Sequence, residues 1–304
     1  MNRIIRQLTA SLTLLFAVSI HVYAAPVWKV EYKNNTLYLA GTIHVLRAED
    51  KIPKAFETAY QASSHLVFET DIGQLEGPAM QQFILSQALY TDGTTLEKAL
   101  TKPTYQALQQ YTQTVGFPLK MMNTYKPGFV YLTLLGLELQ KLGINQTGVD
   151  KTYYQKALAD NKTTQGLEAI DDHLQLLLQL GDGNQEKFVQ YFLEELSKFS
   201  TEVEKLMTTW KSGNLKDLDT TLIQPMKSEH PMLYQQLMTN RNLAWLPIIE
   251  KLAKTPETEM VLVGAAHLAG KDGLIELLSS NNNFLIEPFS HSSASKNESI
   301  DIAN

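Results

Sequence analysis

Cysteine is absent from all 304 residues. Its absence excludes disulfides, thiolate metal sites, a cysteine nucleophile and lipid attachment through an N-terminal cysteine. A chain of this length can build a sufficient core without cross-links, so an exported setting stays open. Basic charge is also scarce, with 26 Lys and Arg against 32 Asp and Glu, a net charge of −6. No basic stripe occurs, which argues against nucleic acid as a partner. Three catalytic signatures are missing as well: the G-x-S-x-G elbow, H-E-x-x-H and G-x-G-x-x-G.

One long apolar run is present, at the N-terminus. Arg3 and Arg6 precede an apolar stretch over residues 8–22, and Val22-Tyr23-Ala24 offers small residues where a signal peptidase reads. Residues 1–24 are therefore expected to be a signal peptide directing the chain to the bacterial periplasm or outside the cell. The stretch is too short and too interrupted by Ser and Thr for a stable membrane span. Its removal shifts the net charge to about −8, since Arg3 and Arg6 leave with it. Residues 290–304 carry too little apolar content to pack and read as a disordered tail. Four N-x-[ST] sequons, at Asn34, Asn145, Asn161 and Asn297, carry no functional weight.

Between these ends, residues 25–289 suit a single α/β domain. Residues 27–32 and 36–40 read as a hairpin around Asn34-Asn35, and residues 65–71 as a strand ending in Glu69 and Asp71. A helical periodicity runs over about residues 75–253, with a cap at Thr94 and a helix start at Thr101-Lys102-Pro103. Residues 126–142 read as a buried helix. Gly148-Val149-Asp150 opens another helix, residues 163–167 form a strand with Glu168 at its end, and residues 234–250 form a helix carrying Arg241. Residues 259–263 are a strongly buried strand, followed by a short helix and a closing strand. Strands thus cluster at both ends of the chain, which predicts a mixed central sheet built from N- and C-terminal segments with a large helical insertion.

The chemistry concentrates in a motif that occurs twice. An apolar run ends in Gly41-x-x-His44, and a second ends in Gly264-x-x-His267. With 7 His and 16 Gly in the chain, chance predicts roughly 0.4 such pairs. Ligands of open α/β sheets bind outside the carboxyl ends of the strands. His44, Glu69, Asp71 and His267 all follow such ends, so a shared sheet edge would assemble two imidazoles and a carboxylate, the ligand set of a divalent metal with open positions. Gly41 and Gly264, lacking Cβ, would let the backbone approach a ligand. A bound ion would activate water or polarise a carbonyl. Without one, His44 and His267 could act as general base and acid. Arg241 could clamp a substrate carboxylate bidentately. Residues 264–271 look like a phosphate loop but fail the spacing, and Asp272 stands where Ser or Thr should bind Mg²⁺. His173, His230 and His291 show no pattern.

GTIHVL (41–46), LVFETD (66–71), GVD (148–150), QGLE (165–168), Arg241-Asn242 and VLVGAAHLAGKDGL (261–274) together resemble the TraB/GumN family across essentially the whole mature chain. That group is similar to the Tiki proteases and, more remotely, to the erythromycin esterase and ChaN haem-binding fold. The resemblance implies an α/β fold and a site containing Gly41, His44, Glu69, Gly264 and His267, with Arg241 beside them. In the Tiki branch such elements serve metal-dependent peptide cleavage. Asp150 and Glu168 match family positions without an assigned role.

The expected function is an exported hydrolase, foremost a peptidase, in which His44, Glu69 and His267 hold a divalent ion (Mn, Co, Zn or Fe) or run acid/base chemistry, Arg241 assists, and the substrate is a peptide or small molecule. The alternative is a non-catalytic protein that binds haem or another small ligand at the same strand ends, with a purely structural role third.

Overall fold

The computed structural model describes residues 25–75 and 77–290. The signal peptide and nearly all of the tail expected from the sequence lie outside the described residues. Eight strands are present among the described residues: β1 (Val27–Tyr32), β2 (Asn35–Thr42), β3 (Val45–Leu46), β4 (His65–Thr70), β5 (Gln146–Thr147), β6 (Thr163–Glu168), β7 (Glu259–Gly264) and β8 (Leu285–Pro288). Six of them form one mixed sheet in the order β6-β4-β7-β2-β1-β8, and β3 pairs with β5 in a separate two-stranded ladder. Strands β2, β7, β4 and β6 run parallel, so their carboxyl ends share one edge. Strand β1 runs antiparallel to both β2 and β8.

The expected sheet of N- and C-terminal strands is therefore present, with helices filling the middle of the chain. The C-terminal β7 lies between the N-terminal β2 and β4. Helices cover both faces of the sheet, which is why the central strands are apolar runs and not alternating ones. Met260 and Leu262 face one core with Ala40, Leu66 and Phe68, under helices Lys54–Ala62 and Val149–Ala159. Val261 and Val263 face the other, with Leu39 and Val67, under helices Asn240–Leu252 and Leu274–Ser279. A third core is wholly helical and joins Leu108, Val130, Leu134, Phe188 and Phe192.

Three local expectations shift. The hairpin turn is Lys33-Asn34, not Asn34-Asn35, because Tyr32 pairs with Asn35 and Lys33 takes the positive φ of 55°. A polar residue thus opens β2, which composition alone conceals. Thr95, not Thr94, caps the helix Leu96–Ala99 by accepting from the Lys98 N–H. The helix Pro127–Lys141 buries a stripe through Val130, Leu134 and Glu138 and not its whole surface. No described helix is long and apolar enough to cross a membrane.

Candidate functional site

Strands β2 and β7 are direct neighbours, with Thr42 paired to Gly264, so the two Gly-x-x-His turns leave the sheet side by side. Gly41 lets the two turns pack closely: a Cβ there would lie 2.9 Å from Leu268 Cδ1 and 3.1 Å from Ala265 Cα, inside the turn that follows β7. Beyond β2, the β3–β5 ladder pairs Val45 with Thr147 and so folds residue 148 against the first motif. A Cβ on Gly148 would fall 2.1 Å from the carbonyl carbon and oxygen of His44, a contact only glycine permits. The Val149 N–H then donates to Ile43 O at 2.9 Å.

This docking sets Asp150 in the first turn of helix Val149–Ala159, where the helix dipole favours a carboxylate. Its Oδ1 accepts from Thr42 Oγ1 at 2.7 Å, and its Oδ2 lies 3.1 Å from His44 Nδ1. A carboxylate only accepts, so Nδ1 carries a proton and the ring's second nitrogen, Nε2, has no hydrogen-bond partner among the described residues. The His44 side chain is 71% exposed. The charge and hydrogen bond of Asp150 outweigh burial and push the ring up to about 9, a pull that water over the exposed face weakens.

The second half of the site is buried. Helix Asn240–Leu252 packs Trp245 and Ile249 into the core below β7, which holds Arg241, one turn earlier, over the strand ends. The sequence expectation of one helix from residue 234 is modified here, because residues Gln235–Thr239 form a π turn just before Arg241. Arg241 Nη2 donates to Glu69 Oε2 at 2.5 Å and to Glu168 Oε1 at 2.8 Å, and Nε lies 3.2 Å from both Glu168 oxygens. Nη1 lies 3.0 Å from His267 Nε2 and 3.3 Å from Leu237 O. The guanidinium stacks over the Trp245 ring at 4.5 Å. The bidentate fork expected for a substrate carboxylate is thus engaged by the protein's own glutamates.

Glu69 Oε1 accepts from the Gly264 N–H at 2.7 Å, and a Cβ at Gly264 would sit 3.2 Å from that oxygen. Gly264 therefore brings backbone against Glu69. Burial opposes ionisation of Glu69, but the guanidinium of Arg241, the Gly264 N–H and, once protonated in acid, His267 hold it well below the usual carboxylate range. Burial, reinforced by Arg241, depresses His267 to about 4, so at neutral pH that ring is uncharged and Arg241 is the cation that balances Glu69. Asn242 fixes the tautomer. Its Nδ2 donates to Asp272 O at 2.7 Å, which turns Oδ1 towards His267 Nδ1 at 2.7 Å. His267 Nε2 is then the acceptor of an Arg241 N–H.

Glu168, at the end of β6, accepts from Trp245 Nε1 at 3.1 Å and lies 2.7 Å from His173 Nδ1. Burial works against it, but His173 and Arg241 lower it overall. Glu69, Glu168 and His173 each offer one ligand atom, and these atoms all lie within 4.8 Å of one another, so this largely buried cluster could hold a metal ion. The donor set suits a divalent ion that accepts oxygen and imidazole.

The metal trio expected from sequence is His44, Glu69 and His267. Only Glu69 is in the three-donor group among the described residues. His267 Nε2 is 3.9 Å from Glu69 Oε1, but Arg241 occupies its lone pair. His44 lies on the same edge and acts on Glu69, Arg241 and His267 through charge, without a hydrogen bond to any of them among the described residues. Asp71 turns away, accepting from Gly73 N–H and Gln74 Nε2. Sequence reasoning passed over His173; the available signal was its place in the first turns of the helix that begins two residues after Glu168.

No curated protein matches the chain, and no solved structure does. The profile of the TraB/PrgY/gumN family matches residues 26–284, from the residue before β1 to the residue before β8. That span includes every side chain of the site, and the chain belongs to the TraB/PrgY/gumN family.

Proposed function

We propose that this chain is an exported, divalent-metal-dependent hydrolase acting on peptides. The supporting observation is the pairing of His44 with Asp150, 3.1 Å apart, beside a carboxylate–imidazole cluster on the same sheet edge. Glu69, Glu168 and His173 would hold the ion, and the ion would supply water activation or carbonyl polarisation. Asp150 keeps His44 protonated near neutral pH, so His44 serves as general acid, giving its Nε2 proton to the departing amine as water adds to the carbonyl carbon and the C–N bond breaks. The ring then regains a proton from solvent. Thr42 fixes the free side of Asp150 and so orients the pair. Export rests on Arg3, Arg6 and the apolar run that ends at Val22-Tyr23-Ala24.

The test is a mixture of synthetic peptides incubated with purified protein and Mn²⁺, Co²⁺, Zn²⁺ or Fe²⁺, with new amino termini read by mass spectrometry. Cleavage should appear with at least one ion, vanish with EDTA and drop sharply in His44→Gln. Cleavage that survives both treatments would contradict the proposal.

A further inference from the structure

The geometry points to Arg241 as the resident occupant of the ion's seat, so that guanidinium and divalent ion exclude one another. This inference rests on the reading that a divalent ion works at this site. Nη2 alone lies 2.5 Å from Glu69, 2.8 Å from Glu168 and 3.1 Å from His173 Nδ1, the three donors of the cluster. Nη1 takes the lone pair of His267. A metal bound by these donors needs the same carboxylate lone pairs, and a divalent charge within a few ångströms of a guanidinium is strongly repelled in a buried setting.

The charges favour an exchange and not a shared site. Two carboxylates face one guanidinium, which leaves a net negative charge that a divalent ion would neutralise. Removing a cation from a buried pair without replacement is costly. Arg241 therefore keeps the cluster folded when no ion is bound, and the ion must displace it to enter. Displacement would also strip the guanidinium from the face of Trp245, 4.5 Å away, and that gives the exchange a signal independent of activity.

Titration calorimetry of the full chain with Mn²⁺ and with Zn²⁺, without substrate, tests this. Arg241→Gln should bind at least about tenfold more tightly than the wild type, because its carboxylates wait unneutralised. In the wild type, Zn²⁺ should change tryptophan fluorescence, and the change should be lost in Trp245→Phe; this readout stands even if Arg241→Gln fails to fold. Equal affinities in the two proteins, binding without a Trp245 signal, or no binding by either would overturn the exchange. The expected pattern of binding with no peptide cleavage would overturn the hydrolase reading alone, and ion-dependent cleavage with equal affinities would overturn the exchange alone.

Discussion

Arg241 Nη2 and Glu69 Oε2 lie 2.5 Å apart, although 172 residues of chain separate them. The contact joins the end of β4 to the last helix of the helical middle region, and it has consequences for stability as well as chemistry. Replacing Arg241 with Gln leaves Glu69 and Glu168 buried without a cation, and should lower unfolding free energy by about 3–5 kcal/mol in the absence of metal. Arg241→Lys should recover only part of this, since an ammonium cannot reproduce the fork. Urea denaturation in EDTA measures both.

His267 gives stability a defined pH dependence. Its folded value of about 4 lies below the ordinary 6.5, so between these values the unfolded chain binds the extra proton and stability falls as pH falls. The denaturation midpoint should decline from pH 6.5 towards 4, and the His267→Gln variant should be flatter over that window, although less stable at neutral pH. Below about 4.5 the decline should continue in both proteins, because the unfolded chain protonates Glu69 while the fold still holds it ionised.

Asp150 should set the titration of His44. In the wild type the ring should titrate above 6.5, and Asp150→Asn should bring it back towards that value, as read by the imidazole proton shifts in NMR. Since the proposed role of His44 needs its protonated form, activity should fall as pH rises through the His44 value, and Asp150→Asn should move this alkaline limb to lower pH. Thr42→Val, which removes only the hydroxyl on Oδ1, should cause a smaller displacement in the same direction.

Gly148 is required by space and not by backbone conformation, since its φ of −73° is open to any residue. Gly148→Ala would drive a methyl group into the His44 carbonyl, and neither partner is a flexible side-chain end. A loss of about 1–3 kcal/mol is expected from overpacking, together with a weakened His44–Asp150 pair. Thermal melting and the His44 titration report the two effects separately.

Much of this arrangement could be read from sequence because it depends on local pattern. The two Gly-x-x-His turns, the strand ending in Glu69 and the strand ending in Glu168 each declare themselves through an apolar run that stops at a polar residue. Family resemblance brought Arg241 into the site. What stayed hidden depends on contacts across the chain. Asp150 acquires its role only because β3 pairs with β5 and carries it to a histidine 106 residues earlier. His173 carries no spacing signature, since its neighbour Glu168 lies in a strand and the histidine in the helix that follows. The engagement of Arg241 by internal glutamates also escapes sequence, because an arginine that clamps a substrate and one that clamps its own protein have the same composition.

Anomalous diffraction from crystals of the full chain soaked in Mn²⁺ would show whether the ion takes the place of Arg241 on the two glutamates. One strong peak is expected at the strand ends, bonded to Glu69 and Glu168, with the Arg241 side chain withdrawn from both. Absence of a peak there, or a peak elsewhere with Arg241 still on the two glutamates, would contradict that exchange.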